Sequence, residues 1–293
     1  ERYRNTDPFG FAFTGTRSNE NVGLVGEYRL SSNRFNVAAA IRRDINDGFA
    51  DATTFKLAAG VPITDTTRLR GAIGTGIKNT GFYELYGFVD GRFIGNANLK
   101  PERATEWEVG VEQDLFDQDL MVSVTFFDSV LDNEIITTYP APTFVATPDN
   151  AATQSNRKGL EASLSAFLGR SFSLKASYTY LDAEENGVTE VRRPKHVASA
   201  ALDWRNTANS ARASLVVRHN GAADDLAFTD PSYVPVRVTL DDYTLVNLYG
   251  EVDLAEGLSV FARAENLFDE RYEQVFSFVS PGRQLVAGFS ASF

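Results

Sequence analysis

The chain carries two histidines and no cysteine among its 293 residues, so few of its groups could do covalent or metal chemistry. The parity of the flanking residues puts His196 and His219 on the apolar side of a strand, near its end. No serine stands beside either as a nucleophile awaiting a base, so an enzyme is not expected. Two histidines without a third ligand give neither a zinc nor an iron site, and no cofactor is implied. The acidic pairs Asp224-Asp225 and Asp241-Asp242 could hold calcium, but solvated loop charge is the simpler reading. What remains is binding. The loop at 78–102 carries Phe82, Tyr83, Tyr86, Phe88, Arg92 and Phe93. Exposed aromatics beside a cation suit an anionic aromatic ligand or another bulky one. The alternative is a loop that packs its own side chains.

The elements that must position this loop alternate with a period of two from beginning to end. Phe172, Leu174, Ala176, Tyr178 and Tyr180 oppose Ser171, Ser173, Lys175, Ser177 and Thr179. Trp107, Val109 and Val111 oppose Glu106, Glu108, Gly110 and Glu112, and Phe9, Phe11 and Phe13 begin the same theme. About fourteen such segments of ~8–12 residues are expected, the length a tilted membrane-spanning strand requires. None holds a 3.6-residue stripe, so helix is nearly absent. The connections alternate as well. Tight turns are expected at 31–33, 64–67, 115–119, 169–170, 206–209 and 254–257. Long connections are expected at 44–51, 78–102, 137–156, 184–195, 223–241 and 267–281. Only 17–21 breaks the rule, being short where a long one is due. Short turns on one rim and long loops on the other describe an all-β, antiparallel up-and-down transmembrane β-barrel. A soluble sandwich also alternates, but it does not sort its connections by rim. Trp107, Trp204, Tyr28, Tyr178, Tyr180, Tyr243 and Tyr249 lie near strand ends, where interfacial belts place amphipathic rings.

Composition agrees. A net charge of −11 argues against a nucleic-acid partner, since phosphate contact needs surplus Lys and Arg. Mean hydropathy is −0.22, as expected when only one strand face is apolar. Beginning at Glu1 without a leader, the chain reads as processed or as a fragment.

Several segments resemble the TonB-dependent outer-membrane receptors, closest to the cobalamin and catecholate-siderophore types. Gly95-Asn-Ala-Asn-Leu-Lys-Pro-Glu102 followed by Ala104-Thr-Glu-Trp-Glu-Val-Gly-Val-Glu112 is similar to that family's GNxxLKPE…ExGxE signature. Arg70–Lys78 with Phe82–Tyr86 resembles what precedes it, and Asn156-Arg-Lys-Gly-Leu-Glu161 resembles the family's GxE strand opening. Ala176–Asp182 with Arg193-Pro-Lys-His196 resembles a YTYLDA…RPxH pair. Asn266-Leu-Phe-Asp-Glu-Arg-Tyr272 with Pro281-Gly-Arg283 resembles the C-terminal signature. The resemblance implies one β-barrel domain over 1–293, part of a 22-stranded barrel with a plugged lumen.

It further implies residence in the outer membrane among its lipids, with partners in the TonB complex and the barrel-assembly machinery. The ligand would be a siderophore or corrinoid, met through Phe82, Tyr83, Tyr86, Arg92 and Phe93. Leu285, Ala287, Phe289 and Phe293 would form the strand signal for assembly. Charges such as Glu106, Glu108, Glu112, Glu161, Lys175, Arg212, Arg218, Arg263 and Glu265 would sit in water or face a plug. The alternative is a complete fourteen-stranded passive porin or fatty-acid channel.

Overall fold

The computed structural model describes residues 2–5, 15–87, 91–206, 208, 210–229 and 234–292. Phe9, Phe11, Phe13, Phe88 and Phe293 lie outside them. The alternating segments form one antiparallel meander. Its strands are β1 (Asn21–Ser31), β2 (Asn36–Asn46), β3 (Ala52–Pro62), β4 (Thr67–Lys78), β5 (Glu102–Leu115) and β6 (Leu120–Asp132). There follow β7 (Ser155–Leu168), β8 (Phe172–Glu185), β9 (His196–Arg205) and β10 (Ala211–Asn220). The series ends with β11 (Tyr243–Ala255), β12 (Leu258–Glu265) and β13 (Gln284–Ala291). Each strand pairs with its sequence neighbours, and the two-residue strand Val188–Thr189 joins β8 to complete a sheet of fourteen.

The register turns parity into two continuous faces. Trp107 stands opposite Ile73, Val109 opposite Phe126, Leu164 opposite Ala176, Phe172 opposite Trp204, and Leu248 opposite Ala264. This apolar face is open across the whole sheet, and among the described residues no second sheet covers it. In water such a surface would be untenable; against lipid it is the stable arrangement. Phe172, Leu174, Ala176 and Tyr178 lie on it, as their spacing predicts. The opposite face is polar and bonds to itself across strands. Ser123 and Ser163 share a hydrogen bond at 2.8 Å, Ser177 and Ser199 another at 2.8 Å, and Arg212 meets Glu251 at 2.7 Å.

The turns follow from local chemistry. Ser32 Oγ accepts from the Arg34 and Phe35 amides, and Thr64 Oγ1 accepts from those of Thr66 and Thr67, the side-chain mimicry that tightens a turn. Gly169 turns the β7–β8 hairpin at φ 71°.

Three features add to these expectations or depart from them. The long connections carry short strand pairs of their own. Ile135–Thr138 pairs with Thr147–Asn150, Ala223–Ala227 with Val236–Leu240, and Glu273–Val275 with Phe278–Val279. Among the described residues, the N-terminal segment adds no barrel strand. Arg2–Asn5 pairs only with Gly15–Ser18, and this hairpin stands at the long-loop rim, where Glu20 and Asp47 exchange hydrogen bonds at 2.8 and 3.2 Å. That resolves the anomalous connection at 17–21. Finally, Tyr243 and Tyr249 leave the aromatic belt. Tyr249 pairs with Ser214 and Arg263 on the polar face and bonds Glu251, while Tyr243 is buried against Tyr272. Tyr28, Tyr178, Tyr180, Trp107 and Trp204 remain on the apolar face.

Candidate functional site

The predicted ligand loop begins as β4 runs out. Gly81–Glu84 opens a one-turn helix, α1 (Phe82–Tyr86), in which Glu84 reaches back to accept the Gly81 amide at 2.5 Å. The chain then returns under the helix at Gly95. A Cβ there would fall 2.3 Å from the Gly87 nitrogen and 2.4 Å from that of Tyr86, so only glycine permits the approach. Asn96 fixes the return by donating its amide to the Glu84 carbonyl at 2.8 Å and its side chain to the Pro148 carbonyl at 3.1 Å. Leu85 and Leu99 are buried between. The Gly95–Glu102 motif is therefore a docking device. It holds α1 against the hairpin at 135–150, with Lys100 and Asn150 exchanging backbone and side-chain bonds at 2.8 and 2.9 Å.

The predicted ligand residues separate into two groups. Phe82 stacks on Tyr86 at 6.1 Å, and the guanidinium of Arg17 lies 5.2 Å above the Tyr86 ring. Phe93 is half-buried beside Tyr83, their rings 5.9 Å apart. Tyr83 itself is 52 % exposed, and Arg92 is exposed. Burial of the phenol oxygen and the adjacent Glu84 carboxylate push the Tyr83 hydroxyl up, so it remains a neutral donor. The loop thus packs part of its aromatic set and presents the rest.

The other long loops are tied together by hydrogen bonds and ion pairs whose partners the sequence did not reveal. Asp225 is 0 % exposed and accepts hydrogen bonds at 2.8 Å from Arg192 Nε, the Leu226 amide and the Phe276 amide. One carboxylate so joins the loops at 186–195, 221–242 and 266–283. Burial would raise its pKa, but those three donors outweigh it and hold the carboxyl below the usual range. Solvated loop charge is the wrong description of Asp225. Its neighbour Asp224 is taken by Arg237 at 3.1 Å. Nearer β7, Arg157 grips Glu190 through two nitrogens and approaches Glu134 at 3.8 Å. A positional signal was available for these groups, since Arg157 lies within one recognised motif, Arg192 adjoins another, and Asp224-Asp225 stands out as an acidic pair. Which loops Asp225 would join was not visible.

At the closing connection, Asn266 accepts the Glu270 amide at 2.8 Å and donates to the Glu270 carbonyl at 2.9 Å, while Asp269 accepts the Arg283 amide at 2.8 Å. That motif is structural. His196 and His219 lie on the apolar face, bonded to Tyr178 at 2.8 Å and Thr244 at 3.0 Å. Among the described residues no group of three or more His, Cys, Asp or Glu could hold a metal. Leu285, Ala287 and Phe289 line the apolar face of β13, with Leu285 73 % and Phe289 75 % exposed.

The family model for the TonB dependent receptor-like β-barrel matches residues 1–267. The chain belongs to the TonB-dependent receptor family. Over 264 residues it is 30 % identical to the vitamin B12 transporter BtuB of Photobacterium profundum, covering 87 % of this chain and 40 % of that one. The solved siderophore receptor PirA of Acinetobacter baumannii superposes with a TM-score of 0.81 at 16 % identity, over 95 % of this chain and 46 % of that one. The ferric enterobactin receptor PfeA of Pseudomonas aeruginosa gives 0.80 at 21 % identity, over 96 % and 46 %. The chain spans about two fifths of the length of the BtuB protein it matches. These TonB-dependent receptor strands therefore form an outer-membrane barrel wall, with the tight turns periplasmic and the long loops outside. Membership also disfavours the complete passive porin. Among the described residues, β1 and β13 do not pair to close the sheet.

Proposed function

We propose that this chain is the barrel wall and outer-loop portion of a receptor that takes up a large scarce nutrient with energy delivered through TonB. The ligand class is a siderophore-bound iron or a corrinoid. Residues 1–293 act as one barrel domain, inserted by the barrel-assembly machinery with Leu285, Ala287, Phe289 and Phe293 as its strand signal. The observation that carries the reading is the knitted outer rim on a lipid-facing family barrel: Tyr83 and Arg92 stand exposed beside a segment that Gly95, Asn96 and Asn150 pin to α1 and to the hairpin at 135–150. Pinned segments give a bulky ligand a preformed surface at low ordering cost. Tyr83, Tyr86 and Arg92 contact the ligand directly, with Phe82 and Phe93 setting their positions.

The role is transport rather than catalysis, because both histidines are turned toward lipid and bonded to hydroxyls. The test is uptake of labelled ferric catecholate and of labelled cobalamin by cells making the receptor that carries these residues. Accumulation of one of them that needs both TonB and the proton-motive force is expected. Accumulation of neither, or accumulation indifferent to TonB, would refute the proposal.

A further inference from the structure

We propose that the long loops form two separately locked bodies and that Arg157 is the joint between them, fixed to one and able to part from the other. The first body is the loop at 78–102 with the hairpin at 135–150, and it rises from β4–β7. Beyond the bonds of Asn96 and Asn150, the Ile94 amide donates to the Ala146 carbonyl at 2.9 Å, and Glu102 accepts the Ile135 amide at 3.0 Å. The second body is the three loops that meet at Asp225, and it rises from β8–β13. There the Arg192 amide donates to the Asp224 carbonyl at 2.7 Å, Arg237 to the Thr189 carbonyl at 3.1 Å, and Gln274 to the Tyr243 hydroxyl at 3.0 Å. Among the described residues, no strand ladder crosses from one body to the other, and the side-chain bonds and ion pairs that reach both run through Arg157.

The joint is unequal on its two sides. Toward the second body the Arg157 fork closes on Glu190, with Nε 2.9 Å from one carboxylate oxygen and Nη2 3.0 Å from the other. Arg193 supports the same carboxylate at 3.4 Å. A bidentate, charge-assisted pair of this kind is the strong form of the contact. Toward the first body the guanidinium lies 3.8 Å from Glu134, beyond hydrogen-bond reach. The other Glu134 oxygen accepts from the buried Ser155 hydroxyl at 2.6 Å, so Glu134 stays with its own side when the pair parts. One contact is directional and hydrogen-bonded; the other is charge attraction, which salt weakens. Hinges in proteins are a few residues at the ends of elements, and Arg157 stands at the outer end of β7. Tyr83 and Arg92 belong to the first body, so this joint sets where they stand relative to the second.

Because these residues include no cysteine, paired spin labels are clean reporters. In the receptor that carries them, reconstituted in lipid, nitroxides at Tyr139→Cys and Val279→Cys span the two bodies. Nitroxides at Val188→Cys and Val279→Cys lie within the second, and all three positions are exposed. The spanning pair should give one narrow distance distribution at low salt. NaCl at about 1 M, where the screening length falls to about 3 Å, should broaden and shift it. Glu134→Gln should broaden it already at low salt and leave added salt without further effect, and Arg157→Leu should do the same. The within-body distribution should stay unchanged throughout. A spanning distribution indifferent to salt, or a within-body one that broadens alongside it, would overturn the joint. If neither variant assembles, the salt response of the otherwise unsubstituted receptor decides the question by itself.

Discussion

Three donors converge on the Asp225 carboxylate, and their convergence has a definite pH consequence. Its folded pKa lies below the unfolded value, so the stabilisation is present above the unfolded pKa and is lost as pH falls through the folded one. Asp225→Ala leaves the Leu226 and Phe276 amides unpaired, at a cost of about 1–3 kcal/mol to the local fold. Amide hydrogen exchange at 223–227 and 273–279 should accelerate in the variant at neutral pH, and the gap from the parent should close in acid. A constant gap across that range would contradict the charge-based account. Tyr83, Tyr86 and Arg92 call for a different measurement, because their proposed role is contact. Replacing all three by Ala should weaken binding of the transported ligand at least about tenfold, as aromatic and Arg anchors tend to dominate interfaces. Circular dichroism should be unchanged. Full affinity in the triple variant would leave the loop with a packing role only.

At the scale of strands, parity carried nearly all the information. A period of two needs no knowledge of partners, and the register then places Ala176 toward lipid and Ser177 toward the lumen. Ala176→Arg puts a charge near mid-strand on the lipid face, where such a change costs about 2–4 kcal/mol. Its refolding yield into bilayers should fall, while Ser177→Arg should insert nearly normally. Equal yields would argue against the assignment of faces. Glycine gives a second contrast. A Cβ at Gly159 would lie 2.1 Å from the Tyr180 carbonyl and 2.7 Å from the Phe127 ring, whereas at Gly250 nothing comes within 4 Å. Gly159→Ala should destabilise the barrel by about 1–3 kcal/mol through overpacking, and Gly250→Ala should be nearly neutral, as read by denaturant unfolding. The motif containing Gly159 was visible in the sequence. Its reason was not, because the Phe127 ring comes from a neighbouring strand 32 residues upstream. Loop structure was hidden for the same reason. The hairpins within 133–154 and 221–242 depend on Asn150, Asp225 and Arg237 reaching other loops, and alternation says nothing of such contacts. Tyr243 and Tyr249 were misplaced because a strand-end aromatic fits either face by proximity alone.

For the whole molecule, the arrangement of thirteen sequential strands decides what these residues can do unaided. The sheet is bounded by β1 and β13, which are not joined to each other among the described residues. Every residue of β1 is exposed, so its backbone N–H and C=O groups present a template for another strand. In hydrocarbon such an edge is costly, because no water is available to satisfy it. Energy-coupled uptake further requires that a bound ligand be released inward on command, a task the family resemblance assigns to a plug inside the barrel and its contact with TonB. The strands described here, placed alone in a bilayer, should therefore either associate through β1 or conduct small ions passively. They should show no ligand accumulation that depends on TonB. Single-channel recording and vesicle uptake with and without the TonB system distinguish these outcomes. TonB-dependent accumulation by residues 1–293 alone would show that the wall and its loops contain the complete transport machinery, and would refute the division of labour proposed here.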